Sequence, residues 1–389
     1  MKIGLVSPYD YSYPGGVTAH INNLAAELTK LGHAVKIIAP CSDNTLDALP
    51  DWLIPIGKPF PIPTGGSIAR ISISFWLFKK VQTVLQKEAF DILHIHEPLV
   101  PFLPLLCLHL ASCPIVGTFH AYENSTQKYF ALSGILHRSF NKLDRRLTVS
   151  PPARAHINKN FPSEYEIVPN GIDCSRFLLP KNKPEVFKND KTNILFVGRL
   201  EKRKGLSYLL SAFSRLKWQQ PNVRLIVVGP GTLDKASYHL IAEKNLQDIE
   251  LIGEVSHSEL PDYYHAADIF CSPATGHESF GIVLLEAMAS GKPIVASNIP
   301  GYASVMTNDQ EGFLVKPKDA EGLAAALQAL IEDPQLRSTM GIRGQITAQS
   351  YDWKPIAAKI NKIYYETIST HRGVPSTTGT NNNNIATLI

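Results

Sequence analysis

The stretch Asn193-Ile194-Leu195-Phe196-Val197-Gly198-Arg199-Leu200-Glu201-Lys202-Arg203-Lys204-Gly205 decides the fold. A short apolar run ends in glycine, a basic turn follows, and an amphipathic segment over 207–218 comes next. That order reads as strand, loop and helix. The opening of the chain has the same grammar: an apolar strand over 3–7, Gly15-Gly16, a helix over 17–31 and a strand over 35–39. Further apolar runs fall at 92–95, 115–119 and 147–149, and in the second half at 223–228, 251–253, 269–272 and 294–297. Continuous apolar strands alternating with helices indicate parallel sheets covered on both faces. The restart, after a Lys-, Pro- and Asn-rich segment near 178–191, predicts two doubly wound α/β domains, 1–175 and 176–352. A long helix over 353–371 follows, and the tail 373–389 has no apolar periodicity and reads as disordered.

Composition narrows the class. The 389 residues are 44% hydrophobic, enough for large cores, and the net charge of +4 is too small for a nucleic-acid binder. Cys41, Cys107, Cys113, Cys174 and Cys271 form no C-x-x-C pair and no zinc spacing, which fits a reducing, cytoplasmic setting. The apolar run at the N-terminus is too short for a signal-peptide core. Residues 99–116 are largely apolar, but Pro101, Pro104, His109 and Pro114 interrupt them. A buried helix and strand fit that stretch better than a membrane span.

Three motifs carry chemistry. Gly15-Gly16 at the start of the first helix lets a phosphate approach backbone N–H groups. The spacing is not that of a dinucleotide fingerprint, which disfavours a dehydrogenase. Arg199 and Lys204, at a strand's carboxyl end, suit a diphosphate clamp. The segment His277-Glu278-Ser279-Phe280-Gly281-Ile282-Val283-Leu284-Leu285-Glu286 places two carboxylates eight residues apart around a helix start. Each can accept hydrogen bonds from sugar hydroxyls, and the N–H groups of Phe280, Gly281 and Ile282 can bind phosphate.

Glu278 and Glu286 resemble the E-x7-E motif of group 1 (family four) retaining glycosyltransferases of the GT-B fold. Gly15-Gly16 with His20, Arg199 with Lys204-Gly205, and Pro169-Asn170-Gly171-Ile172-Asp173 resemble the same class, nearly to residue 370. Asp91-Ile92-Leu93-His94-Ile95-His96-Glu97-Pro98 and Gly117-Thr118-Phe119-His120 are similar to the bacterial phosphatidylinositol mannosyltransferases within it. The resemblance implies two facing Rossmann-like domains with a cleft between them, the last helix packing back on the first. It implies hexose transfer from a nucleoside diphosphate sugar with retention, without metal or other cofactor. Gly16 would donate to the diphosphate, Arg199 and Lys204 would clamp it, Glu286 would hold the ribose and Glu278 the sugar, with Ser279 and Val283 beside them. His120 would sit near the reaction centre.

The acceptor is less defined. Tyr9 is placed to stack on a polyol ring, and Lys128 is a candidate for an acceptor phosphate. Ile68, Ile71, Phe75 and Phe78 follow helical spacing, with Trp76, Lys79, Lys80 and Lys87 on an adjoining basic face. Such a helix suits the anionic inner leaflet. From Ser67 to Lys159 there are eleven basic and five acidic residues, so the basic excess is local. A lipid acceptor, phosphatidylinositol with GDP-mannose as donor, is the sharpest expectation. A soluble saccharide acceptor or another nucleotide sugar stays open. A non-catalytic nucleotide-sugar-binding protein is the third reading.

Overall fold

A computed structural model describes residues 1–13, 15–42, 49–64, 67–74, 76–122, 133–178, 182–188 and 190–371. Pro14, Phe75, Lys128 and the tail 373–389 lie outside the described residues. The first half runs β1 (Lys2–Val6), α1 (Gly16–Lys30), β2 (Ala34–Ala39), β3 (Leu53–Pro55), β4 (Pro59–Thr64), β5 (Ser67–Ser72), α2 (Leu77–Glu88) and β6 (Ile92–His96). It continues α3 (Leu103–Leu110), β7 (Ile115–Phe119), α4 (Ser133–Phe140), β8 (Arg145–Thr148), α5 (Pro151–Asn158) and β9 (Glu166–Ile167). Seven of these strands make one parallel sheet in the order β3-β2-β1-β6-β7-β8-β9.

The second half runs β10 (Thr192–Val197), α6 (Leu206–Gln219), β11 (Val223–Val228), α7 (Lys235–Glu243), β12 (Ile249–Gly253), α8 (Leu260–Ala266) and β13 (Ile269–Ser272). Then come α9 (Ile282–Ala289), β14 (Ile294–Ser297), α10 (Pro300–Ala303), β15 (Gly312–Val315), α11 (Ala320–Glu332), α12 (Pro334–Gln349) and α13 (Trp353–His371). Its sheet is parallel, in the order β12-β11-β10-β13-β14-β15. In both sheets the winding reverses at the first strand of the half, so the carboxyl ends of β1 and β10 are switch points. Ligand crevices open at such places.

Each sheet is buried on both faces. Ile3, Leu5, Ile21 and Leu24 pack with Trp353, Ile356, Ile360 and Tyr364 of α13, so the last helix covers the first sheet. Each such side chain contributes roughly 1.5–3 kcal/mol on full burial. The start of α13 is pinned to the motif at 169–173. Ile172 N–H donates to the Tyr351 carbonyl at 2.8 Å, and Trp353 N–H donates back to Ile172 at 3.1 Å.

One expectation is overturned. Among the described residues, 68–74 and 76 lie outside the helix. Ile68 and Ile71 lie in β5, paired antiparallel with β4, and the helix begins only at Leu77. A spacing of three puts the two isoleucines on one helical face but on opposite faces of a strand. Ile68 is accordingly exposed and Ile71 buried. The interrupted apolar stretch folds as α3 and β7, and among the described residues no helix is long and apolar enough to cross a membrane.

Candidate active site

The two switch points meet across a cleft. A Cβ on Gly16, at the start of α1, would lie 3.9 Å from Ile282 Cδ1 at the start of α9. Ser150 Oγ donates to the Ser279 carbonyl at 2.5 Å, tying the halves together. Beside this junction is a cavity of about 220 Å³ lined by Tyr9, Tyr13, Gly15, Gly16, Arg70 and Arg199, among others. Tyr9 follows β1 and forms a bridge to Ile71.

The second-half wall is charged. Gly205 has a left-handed backbone (φ 74°), and a Cβ there would fall 1.9 Å from the Pro273 carbonyl oxygen. Only glycine lets the basic turn sit this close to the loop after β13. The turn then aims its cations at the E-x7-E segment. Lys204 Nζ lies 2.7 Å and Arg203 Nη1 2.6 Å from the same Glu278 oxygen, Oε1. Arg203 Nε also reaches Glu201 at 2.8 Å, and Arg199 pairs with Glu201 at 3.1 Å. Burial raises the Glu278 carboxyl, but Lys204 and Arg203 outweigh it and hold the group below its ordinary pKa. The sequence reading assigned Lys204 and passed over Arg203. Its position inside the basic run was the available signal.

Glu286 behaves differently. It is buried in α9, and Tyr264 OH donates to Oε2 at 2.8 Å. Burial pushes its carboxyl up to about 7, although the Tyr264 hydrogen bond and the charges of Arg176 and Lys204 pull it down. Gly281 (φ 112°) starts the helix hard against Tyr302, where a Cβ would meet the ring at 2.7 Å. The Phe280 side chain is in the core, edge-on to Tyr351, so this residue can offer the cleft only its backbone.

The first-half wall carries Asp10 and Arg70 at the cavity and, deeper, a cluster of neutral histidines. His120 follows β7, and its N–H and that of Ala121 donate to one oxygen of Glu97 at 2.5 and 2.7 Å. Glu97 itself is buried, with a left-handed backbone (φ 51°). His120 Nε2 lies 2.9 Å from His96 Nδ1. His20 Nδ1 lies 2.8 Å from Asn170 Oδ1, and its ring centroid is 4.9 Å from that of His120. His94 contacts Tyr364 OH and Thr118 Oγ1, each at 2.6 Å. Burial lowers all four imidazoles, His20 to about 4, His94 to about 3, and His96 and His120 well below the ordinary value. His94 and His96 share one face of β6 by alternation, a pattern visible in the sequence. Glu97 lies in the stretch that resembles the mannosyltransferases, but nothing in its spacing gave it a role.

Comparison with known proteins places this geometry. Residues 14–176 match the model for Glycosyltransferase Family 4, and residues 180–347 the model for group 1 glycosyl transferases. The phosphatidyl-myo-inositol mannosyltransferase of Mycolicibacterium smegmatis is 37% identical over 372 residues, 95% of this chain and 94% of that protein. The chain belongs to the group 1 glycosyltransferases. The protein of the same name from Mycobacterium tuberculosis is 36% identical over 374 residues, covering 95% of this chain and 97% of its own. A glycosyltransferase structure from Rickettsia africae superposes with a TM-score of 0.76 at 22% identity, covering 94% and 98% of the two chains. The fold of this glycosyltransferase is therefore GT-B.

The proposed membrane residues gather on the first half of the glycosyltransferase. Trp76, at the start of α2, is 88% exposed, and Lys79, Lys80 and Lys87 are exposed along the helix. Phe60 and Ile68 of the hairpin, Ile73 and Phe78 are exposed as well. Of these, Phe60 and Ile68 belong to β4 and β5 and Phe78 to the helix.

Proposed function

We propose that this glycosyltransferase moves mannose from GDP-mannose to phosphatidylinositol, with retention at the anomeric carbon and without a metal, at the cytoplasmic face of the membrane. The observation that carries the reading is the 37% identity, over 95% of the chain, to a phosphatidyl-myo-inositol mannosyltransferase. The chemistry of the cleft supports it. The charge that develops on a departing nucleoside diphosphate needs fixed cations and N–H groups. Arg199 and Lys204, the Gly16 amide and the start of α9 supply these without a divalent ion. In this reading Glu286 holds the ribose, and Glu278, released from Lys204 and Arg203 as the diphosphate takes those cations, orients the sugar.

The transfer proceeds on one face of the sugar, and the departing phosphate accepts the proton of the incoming hydroxyl. His120, neutral and fixed by Glu97 and His96, orients sugar and acceptor. Tyr9 stacks on the inositol, and Lys128 is a candidate for its phosphate. Trp76, the exposed Phe78 and Lys79, Lys80 and Lys87 of the same helix region hold the protein on an anionic surface.

The test is a matrix of nucleotide sugars against membrane lipid extracts, read by mass spectrometry in the presence of a chelator. A hexose added to phosphatidylinositol from GDP-mannose is the expected result. Transfer only to a soluble saccharide overturns the lipid reading, and loss of transfer with chelator overturns metal independence.

A further inference from the structure

Three imidazoles converge behind the first-half wall from separate places in the chain. His20 comes from the first turns of α1, His96 from the end of β6 and His120 from the end of β7. One nitrogen from each lies within 4.8 Å of the others, and all three side chains are buried. Ring centroids are 4.9 Å apart for His20 and His120, and 5.2 Å for each of the other two pairs. The intervals of 76 and 24 residues hide this trio from any reading of local spacing.

The hydrogen bonds leave the trio rich in lone pairs. His20 Nδ1 faces the Asn170 carbonyl oxygen, so it carries the proton and Nε2 carries the lone pair. His96 and His120 share one hydrogen bond between Nδ1 and Nε2. Nε2 of His20 and Nε2 of His96 are buried and have no hydrogen-bond partner among the described residues. Leaving a buried ring nitrogen unsatisfied is costly. No carboxylate enters the trio, and no imidazole in it is charged at neutral pH. Three neutral imidazoles, one already oriented by a carbonyl, form a donor set suited to zinc. Zinc–nitrogen bonds of 2.0–2.1 Å place tetrahedral ligands about 3.3 Å apart. With His96 Nδ1 and His120 Nε2 as ligands, the proton they share moves to the outer nitrogen of its own ring, their 2.9 Å contact opens by a few tenths of an ångström, and the His20 nitrogen closes in.

We propose that His20, His96 and His120 form a binding site for a zinc-class divalent ion, and that filling it stops transfer by withdrawing His120. The second half of this statement rests on the transferase reading; the first does not. The ion bonds to imidazole nitrogen and takes no part in leaving-group chemistry, which the cations of the opposite wall serve. Zinc thereby acts as an inhibitor of an enzyme that needs no metal to work.

The test uses the full chain, stripped with chelator and titrated with zinc chloride by calorimetry and with cobalt chloride by visible absorption. One ion per chain and the intense absorption of tetrahedral cobalt are expected. His96→Gln is expected to weaken binding at least about tenfold, and Asn170→Ala, which frees the His20 ring, about 10- to 100-fold. Circular dichroism confirms folding, and His20→Gln replaces His96→Gln if the latter does not fold. Absence of one-to-one binding, or unchanged affinity in the folded histidine variant, overturns the site. Zinc is expected to abolish hexose transfer by the wild type, with recovery on adding chelator. Binding without inhibition overturns the regulatory half alone. If no donor and acceptor pair shows transfer, the functional reading fails while the titration still reports on the site.

Discussion

The two walls of the cleft are built from the same strand–turn–helix unit and carry opposite chemistry. On the second half, Arg199, Arg203 and Lys204 interleave with Glu201 and Glu278 in a lattice of ion pairs. On the first half the residues gathered at the carboxyl ends of the central strands are His20, His96 and His120, all stripped of charge by burial. The difference teaches how one fold divides its labour. In the proposed reading, the wall that receives a diphosphate holds its cations ready by pairing them with carboxylates. The histidine cluster opposite carries no charge of its own and is held by hydrogen bonds.

Several substitutions would break this contrast. The largest effect is expected on the charged wall: Glu278→Ala or Lys204→Ala should lower kcat/KM about 10²–10³-fold, measured by radiolabelled hexose transfer. Glu278→Ala also leaves Arg203 and Lys204 without their buried partner, so a lower thermal midpoint should accompany the loss of rate. On the neutral wall, His120→Ala should lower kcat by about 10²-fold while the donor KM holds. An equal rise in donor KM would place His120 with the donor instead.

The neutral wall should also be the acid-sensitive one. The folded-state pKa values of its histidines lie below the unfolded value of 6.5, at about 4 for His20 and about 3 for His94. Below pH 6.5 the unfolded chain therefore binds more protons, and stability falls as pH drops through this window. Each histidine contributes up to about 1.4 kcal/mol per pH unit. Urea denaturation at pH 7 and pH 5 measures the slope, and His94→Gln should reduce it. An equal slope in that variant would place the proton uptake elsewhere.

Smaller effects sharpen the picture. Removing Lys79, Lys80 or Lys87 should weaken binding to anionic vesicles about fivefold each at low salt, from about 1 kcal/mol per charge. Trp76→Ala should weaken it at any salt, because its contribution is apolar. Glu286, with its carboxyl raised to about 7, should give a donor KM that rises a few-fold as pH falls below that value. Protonation removes a hydrogen-bond acceptor from the carboxylate, and Glu286→Gln should flatten the profile.

Much of this was legible in the sequence because it is written locally. Strand, glycine turn and helix follow one another within a few residues at Ile3 and again at Asn193, so the two parallel-sheet halves could be read directly, while the strand order could not. Glu278 and Glu286 could be paired by spacing alone. What escaped depends on packing between distant segments. Arg203 shares Glu278 with Lys204 only because Gly205 brings the turn against Pro273. Glu97 holds His120 across two neighbouring strands. Strand β5 was mistaken for helix because Ile68 and Ile71 satisfy a helical period that antiparallel pairing overrides.

The division between the walls is tested most directly by GDP affinity, measured by calorimetry in the wild type, Lys204→Ala and His120→Ala. Loss of at least about tenfold in Lys204→Ala is predicted, from one charge-assisted contact, with a change under about twofold in His120→Ala. Unchanged GDP affinity in Lys204→Ala, or a comparable loss in both variants, would contradict the account.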